Sequence, residues 1–274
     1  MSVNDISLSG GLRSALANLQ LSALLQTRTT ERLATGLRVN SPIDDAAAYF
    51  AAQNHRSRAG DLAALKDAMG EAIQTVKAAN NGVKAITTLI EQAKGLVASA
   101  RSATTADRVT LSAQFDALLL QIDSMAGDAS YKGTDLLTTG TTLTVTLNES
   151  GSSTLVITGF DGSTAATGLN IAVAIGAWAL DASVQTSADS LDAALKFLRT
   201  NAQSLSSNNG VVSARQDFTS ALITTLTQGA DQLTLADTNE ESANMVTLQT
   251  RQQISIGAMS LSNQASQSIL RLLQ

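Results

Sequence analysis

A chain of 274 residues has the length for one or two domains with a sizeable core, yet only 3% of this one is aromatic, and it carries one proline, one histidine and no cysteine. Few large rings anchor a thick globular core and little proline interrupts long helices, so extended helix packing is expected. The net charge of −5 leaves no basic surplus to neutralise phosphates and argues against a nucleic-acid partner, while the missing cysteines exclude disulfides and Cys-ligated zinc.

The N-terminus, MSVNDISLSGG, has neither a basic start nor an apolar core segment, so classical secretion is not signalled. From about Ile6 to Leu37 the side chains Leu12, Leu16, Leu19, Ala23, Gln26, Thr30, Leu33 and Leu37 fall in an alternating four-three spacing. That spacing predicts a helix with a coiled-coil seam, weakened at Gln26 and Thr30.

Next comes ERLATGLRVNSPIDDAAAY (31 to 49), with the single proline and two adjacent aspartates. Asn40, Ser41, Pro42, Asp44 and Asp45 form a helix-start signature: Ser41 as the cap, Pro42 in the first helical position, Asp44 three residues on, and Asp45 adding charge at the positive end of the dipole. Helix-start chemistry accounts for the segment better than acid/base catalysis, which needs a pocket and a partner group.

Residues 41 to 138 read as two long helical patterns broken near Ser102 to Asp107, and a short connection predicts antiparallel neighbours. The period then changes. TTLTVTL (141 to 147) and TLVITGF (154 to 160) alternate around NESGSS (148 to 153), which predicts a β-hairpin. The stretch through Trp178 is open between strand and short helix; its most apolar run, LNIAVAIGAWAL, is too short to span a bilayer.

Helix returns from about Ala188, with Leu191, Leu195, Leu198, Leu205 and Val212 in period. After the polar interruption ADTNEE (236 to 241), Ile254, Ala258, Leu261, Ala265 and Leu272 form another stripe, flanked by Ile269. From Val246 onward the only charges are Arg251 and Arg271, without Trp or Tyr anchors, so this face suits a protein environment better than a membrane surface.

No constellation carries good catalytic chemistry. His55, beside Arg56 and Arg58, has no second histidine or cysteine to share a metal, and no spacing ties it to a nucleophilic serine. The carboxylates of DTNEE suit a helix start or a solvated loop better than a cation site. No enzyme, cofactor or metal is expected.

A lone amphipathic helix at a chain end is marginal in water. If the terminal helices pair, they bury one seam, and Leu21, Leu25 and Ile256 remain for other molecules. Head-to-tail contacts that do not close then generate a filament. The expected assembly interface is Leu12, Leu16, Leu19, Leu33, Leu37, Ile254, Ala258, Leu261, Ala265, Ile269 and Leu272.

TTERLATGLRVNSPIDDAAAY closely resembles the most characteristic N-terminal stretch of bacterial flagellins, and LDAALKFLRTNAQSL, ADTNEESANMVTLQTRQQ and SLSNQASQSILRLLQ resemble the family's C-terminal pattern. The resemblance spans roughly residues 1 to 137 and 186 to 274. It implies a mainly α fold: an inner coiled-coil domain from 1–40 plus 236–274, an outer helical bundle from 41–138 plus 183–235, and a small β-hairpin insert, 139–182, on the outer face. This would be a short family member lacking the large outer domains.

The resemblance further implies a structural subunit that self-assembles into the extracellular flagellar filament for swimming and is exported through the flagellar type III channel. Its partners would be copies of itself, an export chaperone, the filament cap and the hook-filament junction proteins, with no membrane insertion. A junction adaptor of the same fold is the alternative. Two departures stand out: Ile6-Ser7-Leu8-Ser9 replaces the family's Ile-Asn-Thr-Asn opening, and Pro42-Ile43 replaces the more usual Ala-Lys before the paired aspartates.

Overall fold

A computed structural model describes the backbone of residues 10–272 and the side chains of 13–265, 267 and 268. The opening Ile6–Ser9 lies outside the described residues, as do the side chains of Leu12, Ile269 and Leu272. The chain divides into two compact units: one runs up to Ser57 and resumes at Leu226, and the other is Arg58–Thr225. The first turns of α2 (Ala46–Ser102) and the last turns of α4 (Asp181–Thr234) therefore go with the terminal helices.

In the central unit, α2 (Ala46–Ser102) and α4 (Asp181–Thr234) each carry a strict heptad. On α2, Met69, Val76, Val83, Ile90 and Val97 are buried seven apart, with Ala72, Ala79, Ile86, Ala93 and Ala100 between them. On α4, Val184, Leu191, Leu198, Leu205 and Val212 repeat the same interval. Such a pattern holds one face of a long helix against its neighbour, and the alanines admit close approach. The break between α2 and α3 (Thr105–Asp128) falls where the sequence predicts it: Thr104 caps α3, its hydroxyl accepting the Asp107 N–H. Phe115, Leu119 and Ile122 of α3 complete the core.

The hairpin forms as expected. Strands β1 (Thr142–Thr146) and β2 (Thr154–Thr158) pair antiparallel with Val145 opposite Leu155 and Leu143 opposite Ile157. Alternation places Val145 and Ile157 in the core and leaves Thr144 and Val156 exposed. At the tip, Asn148 Oδ1 accepts the Ser153 N–H, and the Arg58 Nε–H reaches Glu149 at 2.9 Å.

The stretch after β2 is neither strand nor regular helix. Carboxylates supply the acceptors that a ladder would otherwise provide: Asp123 takes the Thr164 N–H at 2.7 Å, Asp116 the Ala174 N–H at 2.8 Å, and Asp161 the Ser163 N–H at 3.0 Å. Burial pushes the Asp161 carboxyl up, but hydrogen bonds from Ser163 and Thr167 outweigh it and hold the group below its ordinary value. The segment ends in a single 3-10 turn, Ile175–Trp178. Trp178 is fully buried against Phe115, and its ring N–H donates to Ser187.

Arg108 holds this end together. Its Nε–H donates to the Ala100 carbonyl at 2.7 Å, Nη1 to the Trp178 carbonyl at 3.4 Å, and Nη2 meets Asp181 at 2.6 Å. One buried fork thus joins the end of α2, the 3-10 turn and the start of α4.

In the terminal unit, α1 (Gly10–Thr35) packs against α5 (Thr238–Leu272). Gly36 ends α1 with φ +70, its N–H returning to the Arg32 carbonyl at 2.8 Å, and that left-handed geometry favours glycine. Leu37 and Leu235 then form an antiparallel bridge, with the Arg38 N–H to Thr234 O and the Ala236 N–H to Gly36 O. Asp237 caps α5 by accepting the Asn239 and Glu240 N–H groups, so ADTNEE is a helix start in this structure.

Candidate assembly surface

The seam between α1 and α5 mixes apolar and polar side chains. On α1 the half-buried or buried positions are Ala15, Leu19, Ser22, Gln26, Thr29, Arg32 and Leu33, those from Ala15 to Thr29 in four-three spacing; on α5 they are Glu241, Met245, Leu248, Gln252, Ser255, Met259 and Ser262. Five of these side chains, Leu19, Leu33, Met245, Leu248 and Met259, are large and apolar, and the rest are small, polar or charged.

The leucine stripe that marks α1 in the sequence runs partly beside this seam. Leu19, Leu33 and Leu37 are half-buried, but Leu16 is exposed, as are Ala23 and Thr30. On α5 the whole described part of the expected stripe, Ile254, Ala258, Leu261 and Ala265, is exposed, with Ile254 at the edge of the pair beside Leu21 and Leu25 of α1. Leu21 and Leu24 on α1 and Val246 and Ile256 on α5 are also more than half exposed. The paired helices bury some large apolar side chains, Leu19, Leu33, Met245, Leu248 and Met259, among small and polar ones, and leave others in water.

Near the chain crossover a set of charged residues fixes the geometry. Arg32 pairs with Glu241 at 2.7 Å. Arg56 donates to Thr234 Oγ1 at 2.9 Å and lies 3.5 Å from Asp231, which ties the start of α2 to the end of α4. His55 is half-buried, and a side chain added at Gly229 would touch its ring. Among the described residues no group of three or more His, Asp or Glu side chains comes together to hold a metal.

The Asn40–Asp45 segment takes a different form from the capping box expected at Ser41. Residues 41 to 44 close a turn of their own, with the Asp44 N–H to the Ser41 carbonyl at 3.1 Å. Asp44 Oδ2 accepts the N–H groups of Asn40 and Ser41 and the Ser41 hydroxyl. α2 starts at Ala46, and Asp45 is its cap, Oδ1 accepting the Ala48 N–H at 3.0 Å. The helix starts later because Asp44 spends its carboxylate on the turn and Asp45 is the next residue able to cap. The backbone N–H and hydroxyl of Ser41, then the Asn40 N–H and the Arg28 charge 3.5 Å away, hold Asp44 below the usual carboxylate range despite partial desolvation.

Sequence reasoning missed Arg28, Arg32 and Glu241 as partners. Arg32 falls one position before Leu33 on the seam side, and that placement was the available signal.

Two family models match this chain. The bacterial flagellin N-terminal helical region covers residues 9–142, and the bacterial flagellin C-terminal helical region covers 188–273. The chain belongs to the bacterial flagellin family. Flagellin FljM of Caulobacter vibrioides is 30% identical over 274 residues, covering 99% of both chains, and Flagellin FljK of the same organism is also 30% identical with the same coverage. A flagellin of Brucella melitensis is 28% identical over 253 residues, covering 89% of this chain and 90% of its own. Among solved structures, Bacillus cereus flagellin shares 16% identity at a TM-score of 0.47, covering 54% of this chain and 86% of that one.

Flagellins are structural proteins rather than enzymes, and they build the extracellular flagellar filament. The long helices drawn from both halves of the sequence and the small antiparallel hairpin agree with the mainly α fold expected for a short flagellin. None of the helices, among the described residues, is long and apolar enough to cross a membrane.

Proposed function

We propose that this flagellin is a self-polymerising filament subunit whose assembly surface is the outward face of the α1/α5 pair. The observation that carries the reading is the apolar surface left over when the pair has closed: Leu19, Leu33, Met245, Leu248 and Met259 lie in the seam, yet Leu16, Leu21, Leu24, Ile254, Ile256 and Leu261 stay exposed. Each such side chain is worth about 1.5–3 kcal/mol when fully buried, so a stack of copies stabilises what one copy leaves in water. A contact that repeats without closing generates a helical polymer.

In this reading α1 and α5 form the inner layer of the filament, the α2, α3 and α4 helices form the tube around it, and the hairpin lies on the outer side. The subunit leaves the cell through the flagellar type III channel, with a chaperone, the filament cap and the junction proteins as its other partners. Its work is mechanical: a stiff polymer converts motor rotation into thrust.

Electron microscopy of purified monomer before and after addition of short filament seeds in salt tests this. Long uniform filaments establish the polymerising subunit. Monomers that decorate filament ends without elongating establish the hook-filament junction adaptor instead.

A further inference from the structure

Ile43 is 95% exposed, the most exposed large apolar side chain among the described residues. It is presented by a rigid turn. Pro42 fixes the backbone before it, Asp44 after it accepts hydrogen bonds from Asn40 and Ser41, and Arg28 lies 3.5 Å from that carboxylate. Asp45 follows, with its Oδ1 capping α2. The turn and its carboxylates serve the fold, but the Ile43 side chain that they present is left in water.

The same unit carries a complementary hollow. On one side of the α1/α5 pair, Leu21, Leu25, Leu248 and Ile254 line a groove, with Asn18 and Arg251 beside them. Leu248 forms the buried floor, and Leu21 and Ile254 stand more than half exposed on either wall. Arg251 is the only charged group in the lining and makes no ion pair with a described residue. Ser22 and Ser255 complete the lining, so the groove offers four apolar side chains among neutral polar ones and one cation; the turn is apolar with a negative flank.

We propose that the Pro42–Ile43 turn of one copy seats Ile43 in the groove between α1 and α5 of a second copy, with Asp45 facing Arg251. The proposal rests on the self-polymerisation reading above and gives it one specific contact. Because knob and groove are different patches of the same chain, each copy offers one and accepts one. Such a heterologous contact propagates rather than closing as a dimer. Burying Ile43 recovers the apolar surface that the single chain leaves in water, and the charge pair fixes which way round the turn enters.

The chain has no cysteine, so introduced thiols report this contact without background. Full-length chain carrying Ile43→Cys and Ile254→Cys is assembled on seeds under reducing conditions and then mildly oxidised. A ladder of covalently linked subunits on a denaturing gel is expected, because a disulfide forms only when the two Cβ atoms come within about 4.5 Å. Ile43→Cys with Leu120→Cys, an exposed position in the central unit, is expected to give none. Filaments without a ladder from both Ile43→Cys/Ile254→Cys and Ile43→Cys/Leu21→Cys overturn the proposal while leaving self-polymerisation standing. Failure of the unmodified chain to elongate removes both.

A second measurement does not depend on the thiols. Ile43→Ser changes a side chain that touches nothing in the single chain, so its fold is preserved, and the critical concentration for elongation is expected to rise about tenfold or more. An unchanged critical concentration overturns the proposal.

Discussion

Arg32 Nη1 lies 2.7 Å from Glu241 Oε1, joining the last turn of α1 to the first turn of α5. Glu241 is nearly covered, its side chain 8% exposed, so the pair sits where screening is weak and an unpaired charge is poorly tolerated. Apolar contacts along the seam, such as those of Leu19 and Leu248, are not directional, whereas this pair is, and it selects one register among neighbouring alternatives. Glu241→Ala leaves Arg32 facing a void. It is expected to lower the free energy that holds α1 to α5 by about 2 kcal/mol, while Glu241→Gln, which keeps an acceptor, is expected to lower it less. Hydrogen exchange at the α1 amides reads this; equal protection in both variants and the parent chain would assign the register to the apolar seam residues instead.

The turn before α2 carries a pH dependence. Asp44 is held below its ordinary value, first by the backbone N–H and hydroxyl of Ser41. A depressed folded-state value means the contribution is present above the unfolded aspartate value of about 3.9 and is lost as pH falls through the lower folded value. Relative to the intrinsic rate at each pH, amide exchange at Asn40 and Ser41, whose N–H groups the carboxylate accepts, should therefore be slow at neutral pH and quicken in acid. In Asp44→Asn the acid quickening should vanish. If the parent chain shows no quickening above the exchange expected from pH alone, Asp44 does not govern the turn.

The hairpin separates into a packed half and a tip. Ile157 and Val145 are in the core, and Ile157→Ala is expected to destabilise the central unit by about 2–5 kcal/mol. The tip contributes the Asn148 loop bonds and the partly exposed Arg58–Glu149 pair, worth under about 1 kcal/mol. Shortening 148–153 should therefore leave both the melting temperature and filament growth close to those of the parent chain. Normal melting with lost growth would place the tip at a contact between copies.

The helices and the hairpin were legible in the sequence because their periods, near 3.5 and 2, are set by apolar side chains acting within one chain. Met69 to Val97 and Leu191 to Val212 keep their heptads because each faces a partner that the same chain supplies. The terminal stripes were legible as stripes but not as to what they face. Leu16 and Leu261 mark apolar lines, yet the α1/α5 seam runs beside them through Ser22, Gln26 and Ser255. Hydrophobic spacing records that a face is dry in the working state and is silent on whose surface dries it. Residues 159 to 178 resisted reading because their backbone is satisfied by Asp116, Asp123 and Asp161 rather than by a ladder. Arg108, buried in α3, reads in the sequence as a surface charge.

Leu16 and Leu261 test the outward face most directly. They are 38% and 69% exposed, so Leu16→Asp and Leu261→Lys place their charges in water in the single chain and leave its helices intact. In an assembled copy the same charge would enter a dry contact, with a penalty of several kcal/mol that neither side chain can relieve by pairing. Each variant should match the parent chain in circular dichroism and melting of the central unit, yet fail to elongate seeds in the microscope. Normal filaments from both variants would move the assembly surface elsewhere on the chain. Lost helicity in the monomer would mean that these leucines pack within one chain after all, and the outward face would have to be redrawn around Leu21, Leu24 and Ile256.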